Sequence, residues 1–189
     1  MLNQIRPAIV LTVAFTLLTG IAYPLAMTGI GQAIFPDQAN GSSMTLGGDV
    51  VGSSLIGQAF SEPGYFWSRP SATAPTPYNA AASGGSNFGP TDARLVARVA
   101  EASSRLATTG PVPADAVTTS ASGLDPDISP ENAQTQVARV AAARGLEPSR
   151  VEGLVREMTQ TPLLGIFGEP RVNVLALNLA LDRLAPPTR

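Results

Sequence analysis

The stretch AIVLTVAFTLLTGIAYPLAM occupies residues 8–27 and lies within a longer run, residues 7–36, that contains no charged side chain. An α-helix rises about 1.5 Å per residue, so 20 residues span roughly 30 Å, the thickness of the hydrocarbon core of a bilayer. The sequence therefore predicts one transmembrane helix near the N-terminus. Pro24 lies inside the run and removes one backbone donor, which predicts a kink.

The charges on either side of this helix predict its orientation. Arg6 and the free amino terminus precede it, and Asp37 is the first charged residue after it. By the positive-inside rule we expect residues 1–36 to form a cytoplasmic N-terminus with a single transmembrane helix, and residues 37–189 to form an extracytoplasmic domain. A cleaved signal peptide is the alternative, although its apolar segment is usually only about 7–15 residues long.

The composition restricts the chemistry that the chain can perform. It contains no Cys and no His, and all 12 basic residues are Arg. The usual zinc, iron–sulfur and haem ligand sets are therefore excluded, as are Ser-His-Asp and Cys-His nucleophilic sites and a P-loop lysine. With a net charge of −2 there is no basic excess for nucleic acid. We expect neither a catalytic residue nor a metal site, although carboxylate chemistry and oxygen-ligated Ca²⁺ or Mg²⁺ remain open.

Beyond the membrane helix the pattern is typical of a helix-rich α+β domain. Apolar pairs broken by Gly and Ser over residues 49–60 predict one or two short strands, and so a small sheet near the start of the domain. Apolar residues at helical spacing then predict helices, which cover residues 91–108, 129–144, 148–158 and 171–184. The remaining stretches are predicted to be irregular: residues 37–48, 61–90, 109–124 and 161–170.

The long loop over residues 61–90 is dense in Gly, Pro, Ser and Asn, yet it contains Tyr65, Phe66 and Trp67. Disordered linkers are poor in aromatic residues, and structureless loops of this length are often functional. Arg69 follows the aromatic residues closely, which predicts a cation–π or hydrogen-bonded staple that holds the loop. Contact with a substrate is the alternative role.

The run Ser83-Gly84-Gly85-Ser86-Asn87 precedes Gly89-Pro90 and a predicted helix. Glycine lets the backbone approach a partner closely, and adjacent amides near a helix start can hold an anion. The run matches neither a Walker A loop nor a dinucleotide fingerprint. Two interpretations stay open: a structural or partner-contacting turn, and a small-ligand site.

Two pairs of polar residues need an explanation as well. Asp125 and Asp127 could share a cation or perform acid–base work, or they could cap the helix at Ser129 and shape its first turn. Asn173 and Asn178 lie on the apolar final helix, and buried amides need hydrogen-bond partners. We expect both amides to bond to irregular backbone at separate places, because five residues correspond to about 140° around a helix.

Seven groups of residues occur in an order that is typical of one family. In chain order they are Gly57-Gln58-x-Phe60, Tyr65-Phe66-x-x-Arg69-Pro70-Ser71-Ala72, Tyr78-Asn79, Ser83-Gly84-Gly85-Ser86-Asn87-x-Gly89-Pro90, Ser122-Gly123-Leu124-Asp125-Pro126-x-Ile128-Ser129, Gln136-x-x-Arg139-Val140-Ala141 and Arg171-Val172-Asn173-Val174-Leu175-x-Leu177-Asn178. On these groups the chain resembles the KdpC family, the C subunits of bacterial Kdp potassium-transporting P-type ATPases. The resemblance covers the membrane helix and nearly the whole external domain.

The resemblance implies an accessory, non-catalytic subunit of a complex that takes up K⁺ across the bacterial inner membrane by ATP hydrolysis. The partners it implies are a channel-like K⁺-translocating subunit, an ATP-hydrolysing P-type subunit and a small single-helix subunit. It also implies a catalytic chaperone that raises the ATP affinity of the hydrolysing subunit. In that role residues 83–87 become a candidate nucleotide contact, with ATP as the only ligand implied.

Two features of this sequence bear on that role. The charge rule places residues 83–87 outside, a full bilayer away from cytoplasmic ATP. The family pattern Gly-Leu-Asp-Pro-His-Ile-Ser has His where this chain has Asp127, so a role that needs an imidazole does not transfer. The alternative function is a stand-alone, membrane-anchored, extracytoplasmic small-ligand-binding protein that uses residues 61–90. An enzyme built on Asp125 and Asp127 is the third.

Overall fold

The computed structural model describes residues 2–106 and 110–186. The chain forms two compact units, Met1–Ser43 and Met44–Arg189. The predicted fold class, a membrane helix followed by a helix-rich α+β domain, is confirmed.

The first unit is dominated by one continuous helix, Ile5–Ile34, which is long and apolar enough to cross a membrane. It consists of α1 (Ile5–Leu17), a π-helical turn (Leu18–Ala22) and α2 (Tyr23–Ile34). A short 3₁₀ turn (Leu2–Gln4) precedes it, and a short helix, α3 (Pro36–Ala39), follows it. None of the helix's most apolar window is buried, so its apolar side chains are free to meet lipid or other membrane helices.

The π-helical turn lies directly before Pro24. A proline lacks the N–H that would bond four residues back, and its ring crowds the carbonyl at that position. The backbone changes its bonding pattern one turn earlier, where the Tyr23 N–H donates to the Leu18 carbonyl instead. The Thr19 hydroxyl also bonds back to the Phe15 carbonyl at 2.7 Å. Pro24 therefore alters the helix locally through a π turn, and the kink that its position predicts stays a prediction.

Besides a short 3₁₀ turn at Ala80–Ala82, the second unit contains five α-helices among its described residues. They are α4 (Ala93–Leu106), α5 (Ala114–Val117), α6 (Pro130–Arg144), α7 (Pro148–Met158) and α8 (Val174–Leu184). The predicted end of the first of them at residue 108 lies outside the described residues. A hydrophobic core forms where α6, α7 and α8 pack, and it includes Phe66, Val140, Val151, Leu177 and Leu181.

The start and end of α6 show how the sequence specifies a helix. The Ser129 hydroxyl accepts a hydrogen bond from the Asn132 N–H at 3.0 Å, and Pro130 occupies the first turn. The helix ends at Gly145, whose φ of 63° lies in the left-handed region that glycine adopts without a steric penalty. The observed helix agrees with the predicted range, residues 129–144, with Ser129 as its N-cap.

The strands form two small sheets. β1 (Ser43–Leu46) pairs with β2 (Asp49–Ser53), and β5 (Arg171–Asn173) lies between β3 (Asp127–Ile128) and β4 (Thr159–Gln160) in antiparallel order β3-β5-β4. In the second sheet Val172 faces both Ile128 and Thr159. The sheet near the start of the domain was predicted, whereas the second sheet was not.

Three sequence predictions of secondary structure are wrong. Residues 37–48 are not simply irregular, since they hold α3 and β1. A short helix, α5, lies inside residues 109–124, which were predicted to be irregular. The last helix begins at Val174 rather than residue 171, because Arg171–Asn173 pairs as a strand and the Asn173 side chain accepts from the Ala176 N–H.

Candidate functional site

The glycine-rich run at residues 83–87 lies directly against residues 120–123. The Gly84 N–H and the Ser83 hydroxyl both donate to the Ser122 carbonyl, at 2.8 and 3.1 Å. On the opposite side, Gly123 has φ of +69°, and a Cβ there would lie 2.7 Å from the Gly84 carbonyl oxygen. The two segments approach so closely that only glycine fits at position 123.

The remaining members of the run also face neighbouring backbone and hydroxyls. A Cβ on Gly85 would lie 3.0 Å from the Ala121 carbonyl oxygen, and the Thr119 hydroxyl donates to Ser86 Oγ at 3.4 Å. Asn87 adopts φ of +52° and is exposed. The Gly84 amide, one of those expected to hold an anion, is thus occupied within the chain. The nucleotide contact at these five residues stays a prediction.

The aromatic loop is held by two buried side-chain amides. The Phe66 N–H donates to Asn178 Oδ1 at 2.8 Å, and Asn178 Nδ2 donates to the Phe66 carbonyl at 3.0 Å. The Trp67 N–H donates to Gln136 Oε1 at 2.7 Å, and Gln136 Nε2 donates to the Trp67 carbonyl at 3.1 Å. Each amide therefore satisfies both backbone groups of one residue, as a neighbouring strand would.

Two arginines of α6 donate hydrogen bonds to the carbonyls of the same loop. Arg139 Nη1 donates to the Pro63 and Tyr65 carbonyls at 2.7 and 2.9 Å, and its guanidinium stacks 3.7 Å from the Trp67 ring centroid. Arg144 Nε donates to the Gly64 carbonyl at 2.7 Å. We call residues 63–69, held in this way, the strap.

The charges around the strap are largely paired. The Arg144 side chain is only 3% exposed and pairs with Asp182 at 2.7 Å, while the Tyr65 hydroxyl donates to the other Asp182 oxygen at 3.1 Å. Burial, followed by the Asp182 charge, raises the pKa of Tyr65. Burial lowers the pKa of Arg139 to about 10, so this guanidinium remains charged at neutral pH.

Arg69 forms the predicted staple through hydrogen bonds. Its Nη1 lies 2.7 Å from Asp125 Oδ2, and the Tyr78 hydroxyl donates to its carbonyl at 2.6 Å. Cation–π contacts do occur in the strap, but with Arg139 on Trp67 and Arg144 on Tyr65. The staple prediction is confirmed in its hydrogen-bonded form.

The two carboxylates at 125 and 127 have separate partners. Asp125 pairs with Arg69 and accepts from the Asp127 N–H at 3.1 Å, so it shapes the turn as predicted. Asp127 pairs with Arg171 at 3.0 Å and accepts from Asn173 Nδ2 at 3.1 Å. Burial raises the pKa of Asp127, and the bond from Asn173 opposes that shift.

The capping role predicted for this pair is wrong, because α6 is capped by Ser129. A third carboxylate, Asp115 on α5, supports that cap. It accepts from the Ser129 N–H and hydroxyl at 2.8 and 2.9 Å, and from Asn132 Nδ2 at 3.0 Å. Nothing in the local sequence around Asp115 indicates this contact, because its partners lie 14 and 17 residues further on.

A cavity of about 770 Å³ lies beside α5 and β3, and five carboxylates share its walls with apolar residues. Its acidic lining residues are Asp115, Asp125, Asp127, Glu131 and Glu169, and Arg171 is the basic one. Three of the five acids are already bonded as described above. Among the described residues no group of three acidic side chains is arranged to hold a metal ion.

A second cavity of about 280 Å³ lies between the strap and α4. Its walls include Arg69 and Arg105 but no carboxylate. The Arg69 Nε is buried and has no hydrogen-bond partner among the described residues. The charge of this cavity suits an anion or a carbonyl better than a cation. The walls of both cavities exclude residues 83–87.

Comparison with known proteins assigns these features to a family. The family model for KdpC, described as the K⁺-transporting ATPase c chain, matches residues 5–183. The chain belongs to the KdpC family. The match includes both the membrane helix and the folded unit with the strap.

Relatives within the KdpC family are similar over nearly their full length. A potassium-transporting ATPase KdpC subunit from Allorhizobium ampelinum is 60% identical over 185 residues, which cover 96% of this chain and 97% of the relative. The subunits of the same name from Variovorax paradoxus and Rhodopseudomonas palustris are 59% and 57% identical over 188 and 196 residues. These alignments cover 97% of both chains in the first case, and 96% of this chain and 98% of the relative in the second.

The structure brings together several groups that carried the KdpC resemblance. Within the strap, Phe66 bonds to Asn178, the Tyr65 carbonyl to Arg139 and Trp67 to Gln136, although these groups are far apart in sequence. The resemblance named Gln136 and Arg139 without a role, and the structure supplies one: they hold irregular backbone. At Asp127, where the family pattern has His, the acid pairs with Arg171.

Proposed function

We propose that this chain is the accessory C subunit of an ATP-driven, high-affinity K⁺-uptake complex. One observation carries the proposal: the K⁺-transporting ATPase c-chain family spans residues 5–183, so it covers the membrane helix and the folded unit alike. The partners are the channel-like K⁺-translocating subunit, the ATP-hydrolysing P-type subunit and the small single-helix subunit. The chain itself performs no catalysis, in keeping with its lack of His, Cys and Lys.

The chain is placed across the bacterial inner membrane by its single apolar helix. The 30 residues of Ile5–Ile34 correspond to about 45 Å, which exceeds the hydrocarbon core and allows a tilt or an interfacial extension. Arg6 on one side of the helix and Asp37 on the other favour a cytoplasmic N-terminus and an external domain formed by residues 37–189.

Labelling of single cysteines tests this orientation, since the native chain contains no Cys. Leu55→Cys places a thiol at a position that is 60% exposed in the second unit, and Asn3→Cys places one before the helix. A membrane-impermeant maleimide added from the periplasmic side is expected to label position 55 and not position 3. The opposite pattern would reverse the orientation.

In the complex, the external domain clamps the outer face of the channel-like subunit and stabilises the assembly. Its build supports a rigid scaffold role, because the strap is bonded to α6 and α8 through buried amides and arginines. The carboxylates that an enzyme would need are engaged instead, Asp125 with Arg69 and Asp127 with Arg171.

The chaperone effect on ATP binding then follows from conformational coupling. A domain outside the membrane raises the ATP affinity of a cytoplasmic site only if it binds more tightly to the conformation that binds ATP. On this proposal residues 83–87 form a structural or partner-contacting turn. The occupied Gly84 N–H supports that role over direct contact with a nucleotide.

The decisive experiment compares the complex with and without this chain. We expect loss of K⁺-stimulated ATPase activity or a raised KM for ATP when the chain is deleted, and recovery when the full chain is restored. If the purified chain runs alone in mild detergent and the ATPase survives its deletion, the stand-alone binding protein becomes the better account.

A nucleotide titration separates the two chaperone mechanisms. The full chain in detergent is expected to show no saturable binding at millimolar ATP. Gly123→Ala disturbs residue 84, whereas the control variant Asn40→Ala leaves residue 84 intact. Saturable ATP binding that is lost in Gly123→Ala and kept in Asn40→Ala would favour direct contact at residues 83–87.

A further inference from the structure

The loop between β4 and β5 ends in an exposed apolar turn. Residues 162–168, here called the tip, carry four large apolar side chains that are 61–81% exposed, namely Leu163, Leu164, Ile166 and Phe167. Exposed large apolar side chains are usually scattered singly over a surface. Four within five consecutive residues make a patch of the kind that marks an interaction site.

The tip has a defined backbone conformation. Leu163 and Phe167 form an antiparallel bridge with hydrogen bonds of 3.1 and 3.0 Å. Two further bonds, from the Gly165 N–H to the Pro162 carbonyl and from the Ile166 N–H to the Leu163 carbonyl, close the turn. A preorganised turn loses little conformational entropy when it binds, so it suits insertion into a preformed recess.

Leu164 is placed unfavourably for a free surface. It is 81% exposed, and its φ of +55° lies in the left-handed region that bulky residues avoid. A glycine at this position would remove both the exposed apolar side chain and the strain. Strained residues that persist in this way cluster at functional positions.

Charge argues against a lipid surface as the occupant. No charged residue lies between Glu157 and Glu169, and no basic one between Arg156 and Arg171. Loops and helices that bind anionic bilayers usually carry basic residues beside their apolar anchors. Residues 37–189 also carry 11 Arg against 14 acids, a net charge of −3, which disfavours an anionic membrane surface.

Size argues against a second copy of this chain. A stable interface buries about 800 Å² on each partner and involves some 20–30 residues a side. A turn of seven residues is far below that. A small apolar knob suffices when the partner is already held beside it, because tethering raises the effective concentration. The membrane helix supplies such a tether in a complex.

We propose that the tip inserts as an apolar anchor into a recess on the outer face of the channel-like subunit of the same K⁺-transporting ATPase. The inference rests on the proposed function and adds to it the surface that docks. Leu164 and Ile166, the two most exposed side chains of the tip, supply the buried contact.

Co-purification of the complex with the full chain tests the anchor. Leu164→Ser with Ile166→Ser removes the apolar contact, and the matched control is Leu55→Ser with Val96→Ser, whose side chains are 60% and 63% exposed elsewhere. Loss of central apolar anchors is expected to lower retention of the chain after dilution by about tenfold or more. The control pair is expected to remain bound like the wild type.

The outcomes separate the two proposals. If the wild-type chain fails to co-purify with an ATPase, the proposed function fails and the anchor with it. If the wild type co-purifies and the tip variant is retained equally well, only the anchor is overturned.

A second experiment identifies the occupant, by means of a photo-reactive benzoylphenylalanine at position 164. Crosslinking to the channel-like subunit supports the anchor, whereas crosslinking to a different subunit, to lipid alone or to a second copy overturns it.

Discussion

The strap and the tip are both irregular segments, but different contacts hold them. The strap has its backbone bonded to side chains of α6 and α8, and Phe66 within it is fully buried. The tip is shaped by hydrogen bonds within its own turn, and its apolar side chains face outward. Aromatic and apolar residues occur in both.

The difference shows that an apolar loop can either stabilise the fold or remain exposed for a partner. Where buried amides and guanidiniums satisfy the backbone, irregular chain becomes part of the core and stabilises the fold. Where the chain satisfies only its own turn, the apolar side chains remain available to a partner. We therefore expect substitutions in the strap to change stability, and substitutions in the tip to change assembly.

The largest difference in the free energy of unfolding is expected when the same substitution, Phe→Ala, is made in the strap and in the tip. Phe66→Ala leaves a cavity in the core, which should lower the free energy of unfolding by about 3–5 kcal/mol. Phe167→Ala at the tip, where the side chain is 61% exposed, should change it by less than about 0.5 kcal/mol. Denaturant unfolding of the full chain in detergent measures both. Equal effects at the two positions would break the comparison.

Removal of an amide that holds the strap should have the next largest effect. Asn178→Ala leaves the Phe66 N–H and carbonyl without partners in a buried place, at a cost of about 2–4 kcal/mol. The control is Asn40→Ala, because the Asn40 side chain bonds the Pro36 carbonyl in an exposed position. A tolerated Asn178→Ala would mean that the two Asn178 bonds to Phe66 do not stabilise the strap.

The strap also predicts a dependence on alkaline pH. Burial raises the pKa of Tyr78 from its ordinary 10.0 to about 12. The folded state keeps this proton where the unfolded chain has lost it, so this contribution to stability is present below pH 10 and is lost as the pH rises towards 12.

Tyr78→Phe isolates that contribution. The variant lacks the bond to the Arg69 carbonyl and should unfold at a lower temperature than the wild type near neutral pH. Since it also lacks the titrating group, the gap in melting temperature should narrow between about pH 8 and about pH 11. A gap that stays constant or widens would contradict the assigned burial of the hydroxyl.

The smallest change in the free energy of unfolding is expected for a substitution in the tip, and this change is an increase. Leu164→Gly relieves the left-handed conformation and should raise the free energy of unfolding by less than about 1 kcal/mol. The same variant should weaken retention in the complex, as a trade between stability and function. A clear loss of stability in the isolated chain would show that Leu164 packs within its own fold.

The sequence allowed prediction of the features that are encoded locally. The uncharged run around the membrane helix, the Ser129 cap and the Gly145 stop each act within a few residues, and each is found in the structure. The KdpC resemblance depended on an ordered set of short motifs, which the family match confirms.

The strap and the second sheet could not be predicted, because their bonds join distant residues. Phe66 and Asn178 are 112 positions apart, and Trp67 and Gln136 are 69 apart. Arg171–Asn173 has apolar spacing that continues into α8, yet pairing with β3 and β4 makes it a strand. Tertiary contacts override the local pattern in both cases.

Hydrogen exchange of the full chain, alone and in the assembled ATPase, tests most directly whether the strap stabilises the fold and the tip docks on a partner. The account predicts that the amides of Phe66 and Trp67 in the strap are protected in both states, because buried side chains hold them. Amides of residues 162–168 should exchange faster in the isolated chain and gain protection in the complex. Protection that is gained at the strap while the tip stays unchanged would contradict the account.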